Sequence, residues 1–314
     1  MIFKIAMIFP GQGKQNIHRI LCLNNQDSII KKTFEEASEH LHYNIWKAIQ
    51  KKTYITKQDI HIQPIILTTS VAIYRFWKKI GGINPVISSG HSLGEYSALV
   101  CSDAITFLDG LKIVKKREII MKKQMKGLET QMQAIIGLEK KIILKICKQN
   151  SCKKSVNIAN INSKNQIVIS GYKQSVQKTS IICQNMGAKT IILPINIAAH
   201  CNIMKKIKRK FTKQIKKINI QKTKYPVINS ISVKQQISKH TIRKSLVKQL
   251  FQPVQWEKTM NVINSMSNII LEMGTNNILT NLHKKNYVNI IPMNTIQNIN
   301  QTLNLLHKTN HAKK

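Results

Sequence analysis

The sequence predicts an α/β protein, a mostly parallel sheet with a smaller, separately ordered unit inserted into it. Three observations predict this. Pro85 to Leu99 reads as a short β run, then Gly90-x-Ser92-x-Gly94, then an apolar helix, the strand–turn–helix context of a nucleophile elbow. Ile5 to Phe9 is an apolar strand that runs straight into Pro10-Gly11-Gln12-Gly13. That loop therefore sits at the carboxyl end of a strand, the edge where open α/β sheets bind ligands. The stretch from about Gly127 to Asn196 alternates as β-α-β-β-α-β, the ferredoxin-like order. The architecture expected is an α/β-hydrolase-like domain with a mostly parallel sheet plus an inserted ferredoxin-like subdomain.

The elements follow in order. Thr33 to Gln50 reads as one helix, with Phe34, Ala37, Leu41, Ile45 and Ile49 at three- to four-residue spacing. Gln63 to Ile80 reads as a second, with Pro64 near its start and Gly81-Gly82 closing it before the elbow strand. Phe107 to Lys126 forms a third, with Leu108, Leu111, Val114 and Ile119 facing inward and Arg117 within it. Inside the inserted unit the strands are Met132 to Leu138, Ser155 to Ile161, Gln166 to Ser170 and Thr190 to Ile195. Its helices are Glu139 to Gln149 and Gln174 to Met186. A Lys-rich helix from Cys201 to Ile218 comes next, then a strand at Pro226 to Asn229, a helix at Lys239 to Phe251 and another from Val254. Ile269 to Gly274 reads as a late buried strand. The expected organisation is a discontinuous large domain, 1–126 and 200–306, a small subdomain, 127–199, and a disordered tail, 307–314.

The chain of 314 residues, 42% of them hydrophobic, is long enough to bury a large core. No stretch approaches the roughly 18 uncharged apolar residues of a membrane span. The start, Met1-Ile2-Phe3-Lys4, lacks the basic and apolar regions of a secretion signal, so the chain reads as cytoplasmic. Cys22, Cys101, Cys147, Cys152, Cys183 and Cys201 form no CxxC pair and no zinc-type spacing with histidine. Free thiols and no metal are expected. The formal charge of +37 would ordinarily point to nucleic acid. Here the lysines are spread along the whole chain, and lysine, isoleucine and asparagine, all with A/T-rich codons, are enriched together. Biased genomic composition explains that pattern more simply, and no specific nucleic-acid partner is expected.

A serine hydroxyl is a poor nucleophile until a base takes its proton. Ser92, pushed out at a strand end and at a helix N-terminus, is the candidate nucleophile; a serine–glycine turn without chemistry is the alternative. His91 is adjacent, but neighbouring side chains on such a turn diverge, so it reads as structural. His200 lies in Pro194-Ile195-Asn196-Ile197-Ala198-Ala199-His200-Cys201, where the small unit returns to the large one, and would face the cleft between them. Phe9-Pro10-Gly11-Gln12-Gly13 together with Gly90-His91-Ser92-Leu93-Gly94-Glu95 resembles the acyl-transferase family of fatty-acid and polyketide synthesis, over almost the whole chain from Ile5 to about Lys285.

The resemblance implies roles for particular residues. Ser92 would be the nucleophile and His200 its general base, the imidazole oriented by a carbonyl at Gln249. Arg117, 25 residues after Ser92, would grip the free carboxylate of a malonyl group, since a guanidinium matches a carboxylate with two parallel donors. Backbone N–H groups of Leu93 and Gln12 would hold the oxyanion. Met121 and Met132 match pocket-lining positions, although on pattern alone they read as ordinary core, and Asn162 matches a position near the thioester arm. The reaction implied is transfer of a malonyl group from malonyl-CoA to the phosphopantetheine thiol of acyl carrier protein, through a malonyl-serine ester, by a monomer without cofactor or membrane. Two departures are visible: Thr130 stands where the family has glycine, and Gly274-Thr275-Asn276 replaces a Gly-Pro-Gly. The alternatives are a serine thioesterase or other hydrolase with the same Ser–His pair, and an inactive carrier-protein-binding module.

Overall fold

The strands of the computed structural model, which describes residues 3–13, 19, 27–51, 60–150, 155–195, 197–283 and 289–311, fall into two separate sheets. In chain order they are β1 (Ile5–Phe9), β2 (Ile87–Gly90), β3 (Thr130–Ile136), β4 (Val156–Ser163), β5 (Gln166–Tyr172), β6 (Lys189–Ile192), β7 (Val227–Ile228), β8 (Ile269–Glu272) and β9 (Ile290–Pro292). The first sheet has the order β7-β2-β1-β8-β9, and all its pairings are parallel. All five residues of β1 are buried, because a central parallel strand is covered on both faces, and that is why it reads as an unbroken apolar run. The register sets Phe9 beside Gly90 and Ile8 beside Glu272. The carboxyl ends of β1, β2 and β8 therefore lie side by side, and the loops that leave them meet.

The helices are α1 (Ser28–Leu41), α2 (Ile45–Gln50), α3 (Ile62–Lys79), α4 (Gly94–Cys101), α5 (Phe107–Met125), α6 (Lys140–Gln149), α7 (Lys173–Asn185), α8 (Lys208–Ile215), α9 (Lys239–Gln249), α10 (Trp256–Met266), α11 (Ile278–His283) and α12 (Ile296–His311). On one face of the parallel sheet Ile5, Met7 and Phe9 join a core with Phe34, Ile65, Tyr96 and Leu111, from α1, α3, α4 and α5. On the other face Ala6, Ile8 and Ile270 pack with Trp256, Met260 and Ile263 of α10.

The second sheet is antiparallel with the order β4-β5-β3-β6, which is the ferredoxin-like arrangement that the order of its elements predicts. Helices α6 and α7 cover one face, where Ile143, Ile146, Val176 and Cys183 meet Ile135, Ile158 and Ile169. The opposite face carries Met132, Ala134, Ala159 and Val168, with Ile195 and Ala199 packed against them. The two sheets are tied by backbone: Val254 N donates to Ala159 O at 2.8 Å, and Ile161 N to Val254 O at 2.8 Å. Val254 is thus spent on a bridge, and α10 begins at Trp256 rather than at Val254 as the sequence reading had it.

Other expectations are corrected. Thr33 to Gln50 is two helices, not one: His42 turns the chain with φ 61°, and Asn44 caps α2 by accepting from Lys47 N. The hydrophobic spacing runs through the break because both helices bury the same side. On α5, Leu108 is 40% exposed; Thr106 caps the helix on Asp109 N, which phases Leu111, Ile113, Val114 and Arg117 inward. The Lys-rich helix starts as a 3₁₀ turn, Asn202–Ile207, before α8, as Ile203, Met204 and Ile207 dock on the core. The tail expected to be disordered from His307 is helical to His311, as the end of α12; Ile299, Thr302 and Leu306 anchor that helix, and 312–314 lie outside the described residues.

Cys101, Cys183 and Cys201 are free thiols and, like Cys147, are buried; burial pushes the Cys147 thiol up to about 12. Cys22 and Cys152 lie outside the described residues. Among the described residues no helix is long and apolar enough to cross a membrane.

Candidate active site

Between β2 and α4 the chain makes the turn that the Gly-x-Ser-x-Gly pattern predicts. The left-handed backbone falls on Ser92 itself, at φ 52°, and not on its glycines. The glycines supply space instead. A Cβ at Gly90 would lie 1.9 Å from the carbonyl carbon of Gly94, and one at Gly94 would lie 2.0 Å from Phe9 O. His200 is the second left-handed residue here, at φ 59°. Such conformations cost on the order of 1–3 kcal/mol each and persist only where the surroundings enforce them. His91 N bonded to Phe9 O (2.9 Å) and His200 N bonded to Leu250 O (3.0 Å) are part of that enforcement.

The two strained residues face each other. Ser92 Oγ lies 2.8 Å from His200 Nε2, and His200 Nδ1 lies 2.7 Å from the backbone oxygen of Gln249. A carbonyl can only accept, so Nδ1 carries the hydrogen and Nε2 is left with a lone pair toward the serine hydroxyl. His200 is 2% exposed, and burial, then the neighbouring Arg117 charge, brings its pKa down to about 3. The imidazole is therefore a neutral base across the physiological range. The pair can pass a proton from Oγ to Nε2 and hold the resulting imidazolium on the Gln249 carbonyl.

Arg117 comes from α5. Its Nη1 donates to Gln63 Oε1 at 2.9 Å, while Nη2 makes only long contacts, 3.4 Å to Gln249 Oε1 and 3.5 Å to Ser92 Oγ. Its guanidinium carbon lies 5.6 Å from the centre of the Tyr96 ring. Burial lowers its pKa, yet a guanidinium stays charged in proteins. Among the described residues no carboxylate lies within ion-pair distance of it. A buried cation whose hydrogen-bond acceptors are neutral oxygens is able to receive an anion.

A cavity of about 50 Å³ opens at this point, lined by Gln12, Gln63, His91, Ser92, Leu93, Arg117, Met121, Met132, Asn160 and His200 among others. Among the described residues, the backbone N–H groups of Gln12 and Leu93 have no acceptor. A wider hollow of about 370 Å³ beside Phe34 and Trp46 has no serine–histidine pair on its wall. Among the described residues no His, Cys, Asp or Glu cluster could hold a metal ion.

Seven of the nine residues expected from the sequence border the cavity. The other two stand one layer behind it. Asn162 accepts at 3.0 Å on His91 Nε2, which Asn160 Nδ2 also approaches at 3.2 Å, and the His91 ring meets Trp256 edge-on at 5.2 Å. Gln249 is fully buried; besides its carbonyl on His200, its Nε2 donates to Ser92 O at 2.9 Å. Sequence reasoning missed Gln63, Asn160 and Glu95. Glu95 left a signal, as the single charged residue of the apolar helix α4. Gln63, beside a helix-starting proline, left none.

Three kinds of comparison relate the whole chain to known proteins. The family described as acyl transferase domain matches residues 6–304. A malonyl CoA-acyl carrier protein transacylase of Buchnera aphidicola subsp. Schizaphis graminum is 41% identical over 307 residues, covering 96% of this chain and 99% of that one. The solved structure of a malonyl CoA-acyl carrier protein transacylase from Coxiella burnetii superposes with a TM-score of 0.92 at 35% identity, covering 98% of each chain. A structure described as a type II PKS acyl-carrier protein in complex with its malonyl-transacylase matches with a TM-score of 0.92 at 33% identity, covering 96% of this chain and 99% of that one.

Proposed function

Because the chain belongs to the acyl transferase domain family, we propose that it transfers a malonyl group from malonyl-CoA to the phosphopantetheine thiol of acyl carrier protein, supplying fatty-acid synthesis. The observation that carries this reading is Ser92 Oγ lying 2.8 Å from His200 Nε2 and 3.5 Å from the buried Arg117 guanidinium. A short acyl group on Oγ that ends in a carboxylate would keep that carboxylate within reach of Nη2.

The steps follow from these atoms. His200 Nε2 takes the Ser92 proton as Oγ attacks the thioester carbonyl. The oxyanion is held by the N–H groups of Leu93 and Gln12, and the CoA thiol leaves with the proton from His200. The carrier thiol then gives its proton to His200 and attacks the malonyl-serine ester, and as the ester C–O bond breaks His200 returns that proton to Ser92 Oγ. Met121 and Met132 line the acyl pocket, Gln249 orients the base, and Asn162 acts through His91 at the mouth. On this reading 1–126 with 200–306 carries the chemistry and 127–199 forms the other wall, in a cytoplasmic monomer that needs no cofactor or metal. A hydrolase would share the Ser–His pair, but the unpaired Arg117 cation favours an acyl group with a free carboxylate.

Intact-protein mass spectrometry after mixing with malonyl-CoA alone tests the proposal. We expect a gain of one malonyl group, mapped to Ser92 and discharged by phosphopantetheinyl carrier protein. An unmodified mass, or release to water at the same rate with and without carrier, would overturn it.

A further inference from the structure

Glu95 lies three residues beyond Ser92, in the first turn of α4, and is completely buried. Its carboxylate has no cation within ion-pair distance among the described residues. It is held instead by neutral donors. Oε2 accepts from Ser230 N (3.2 Å), Ser230 Oγ (3.0 Å) and Gln249 Nε2 (2.9 Å); Oε1 accepts from Gln236 Nε2 (2.8 Å) and Ser245 Oγ (3.2 Å). A buried charge that costs this much to accommodate calls for a reason.

The reason lies in what Gln249 does. One residue makes two connections to the reacting pair and one to the acid: its backbone oxygen accepts from His200 Nδ1, its Nε2 donates to Ser92 O, and the same Nε2 donates to Glu95. In a full serine–histidine–acid set the carboxylate sits directly on the imidazole. Here a carbonyl takes that place, and the acid stands one residue further out, on the side chain of the residue that supplies the carbonyl. We propose that Glu95 is a positioning residue for the Ser92–His200 pair, acting through Gln249 by clamping the end of α9 to the elbow. The backbone N–H and the two amide nitrogens on it can only donate, so they favour the ionised carboxylate and work against the burial that raises its pKa. Ser245 adds a second tie from α9 to the same group, one turn before Gln249.

This inference rests on the proposed function, since its readout is acylation of Ser92. The test compares the full-length protein with Glu95→Gln, Gln249→Met and the double variant. Gln249→Met keeps the backbone carbonyl and removes the side-chain amide, with its bonds to Glu95 and Ser92 O and its long contact with Arg117, and carries the test alone if Glu95→Gln does not fold. Single-turnover acylation by malonyl-CoA is measured per active site, with sites counted from the end-point label. The maximal rate should fall about tenfold in each single variant, within the roughly hundredfold that a misplacement of about 1 Å can cost. The half-saturating malonyl-CoA concentration should stay within about twofold, and the double variant should be no slower than either single, because linked residues act as one unit. A wild-type rate per active site in Gln249→Met, with only the melting temperature lowered, would make the link purely structural and overturn the inference. So would losses that multiply in the double variant. A wild-type protein that takes no acyl group would remove the proposed function and this inference together; an acylated wild type with unaffected variants removes only the inference.

Discussion

The parallel sheet and the antiparallel sheet bring different kinds of group to the same cavity. From the parallel half come Ser92 at the end of β2, Gln12 at the end of β1, and Arg117 on α5. His200, on the segment that returns to this half, is held by α9. The antiparallel half brings neutral side chains: Met132 and Asn160 on the wall and Asn162 behind it. Their burial differs as well. Every residue of β1 is inaccessible, whereas β6, at the edge of its sheet, leaves Ile192 61% exposed. Ser92, Gln12 and Arg117 thus come from turns and a helix anchored on a sheet that is packed from both faces. The antiparallel half, whose cavity-side face packs on Ile195 and Ala199, supplies shape.

That comparison can be broken most forcefully on the parallel side. His200→Ala should slow acylation of Ser92 by at least about 10³-fold, the scale on which members of a serine–histidine unit act. Stopped-flow release of CoA measures it, and a loss below tenfold would mean that another base serves. Arg117→Ala should be the next largest and should be selective. Malonyl transfer should lose on the order of 2–5 kcal/mol, the cost of truncating one partner of a desolvated charged pair, while acetyl transfer changes far less. Rates with the two acyl-CoA substrates decide it; equal losses would make Arg117 structural.

On the antiparallel side the effects should be smaller. Asn162→Ala removes one hydrogen bond to His91, worth about 1 kcal/mol net, and should raise the half-saturating malonyl-CoA concentration a few-fold with little change in maximal rate. A collapse of the maximal rate would erase the division between the two halves.

The smallest expected effect is none. His200 is neutral down to about pH 3, against an ordinary value of 6.5, so the acylation rate of folded protein should show no limb near pH 6.5 on going from pH 8 to pH 5. Stability should respond where activity does not. Between those two values the unfolded chain binds a proton at His200 that the folded chain refuses, so stability falls as pH drops below 6.5 toward 3. His283, held down to about 4 by burial, adds to the same slope. Chemical denaturation at pH 7.5 and pH 5 measures it, and equal midpoints would show that these groups titrate normally in the folded state.

Much of this was legible before any coordinates, because it depends on local geometry. An apolar run ending in Pro-Gly-x-Gly and a Gly-x-Ser-x-Gly between strand and helix are backbone statements. The left-handed Ser92 and the crowding at Gly90 and Gly94 are their direct consequences. The alternation of elements from 130 to 192 determined the ferredoxin-like sheet for the same reason: short connections leave few ways to pair. Helix ends were less legible. The break at His42 and the exposed Leu108 turn on caps and phase, which hydrophobic spacing does not encode.

The tertiary structure alone decided which polar residues meet. Glu95, Gln63 and Asn160 reach the site from α4, α3 and β4, and nothing in their neighbours along the chain marks their partners: Glu95 and Gln249 are 154 positions apart and 2.9 Å distant. The orientation of His200, the long contacts that leave Arg117 open to an anion, and the bridge of Val254 to β4 belong to the same class. Sequence by itself determined the fold and the turn that presents Ser92, since backbone conformation and hydrophobic period are written residue by residue; the pairing of Ser92 with His200 was implied by the resemblance to the acyl-transferase family. The hydrogen bonds around that pair were decided only when segments distant in the chain were packed together, because a buried donor takes whichever acceptor the packing brings within about 3 Å.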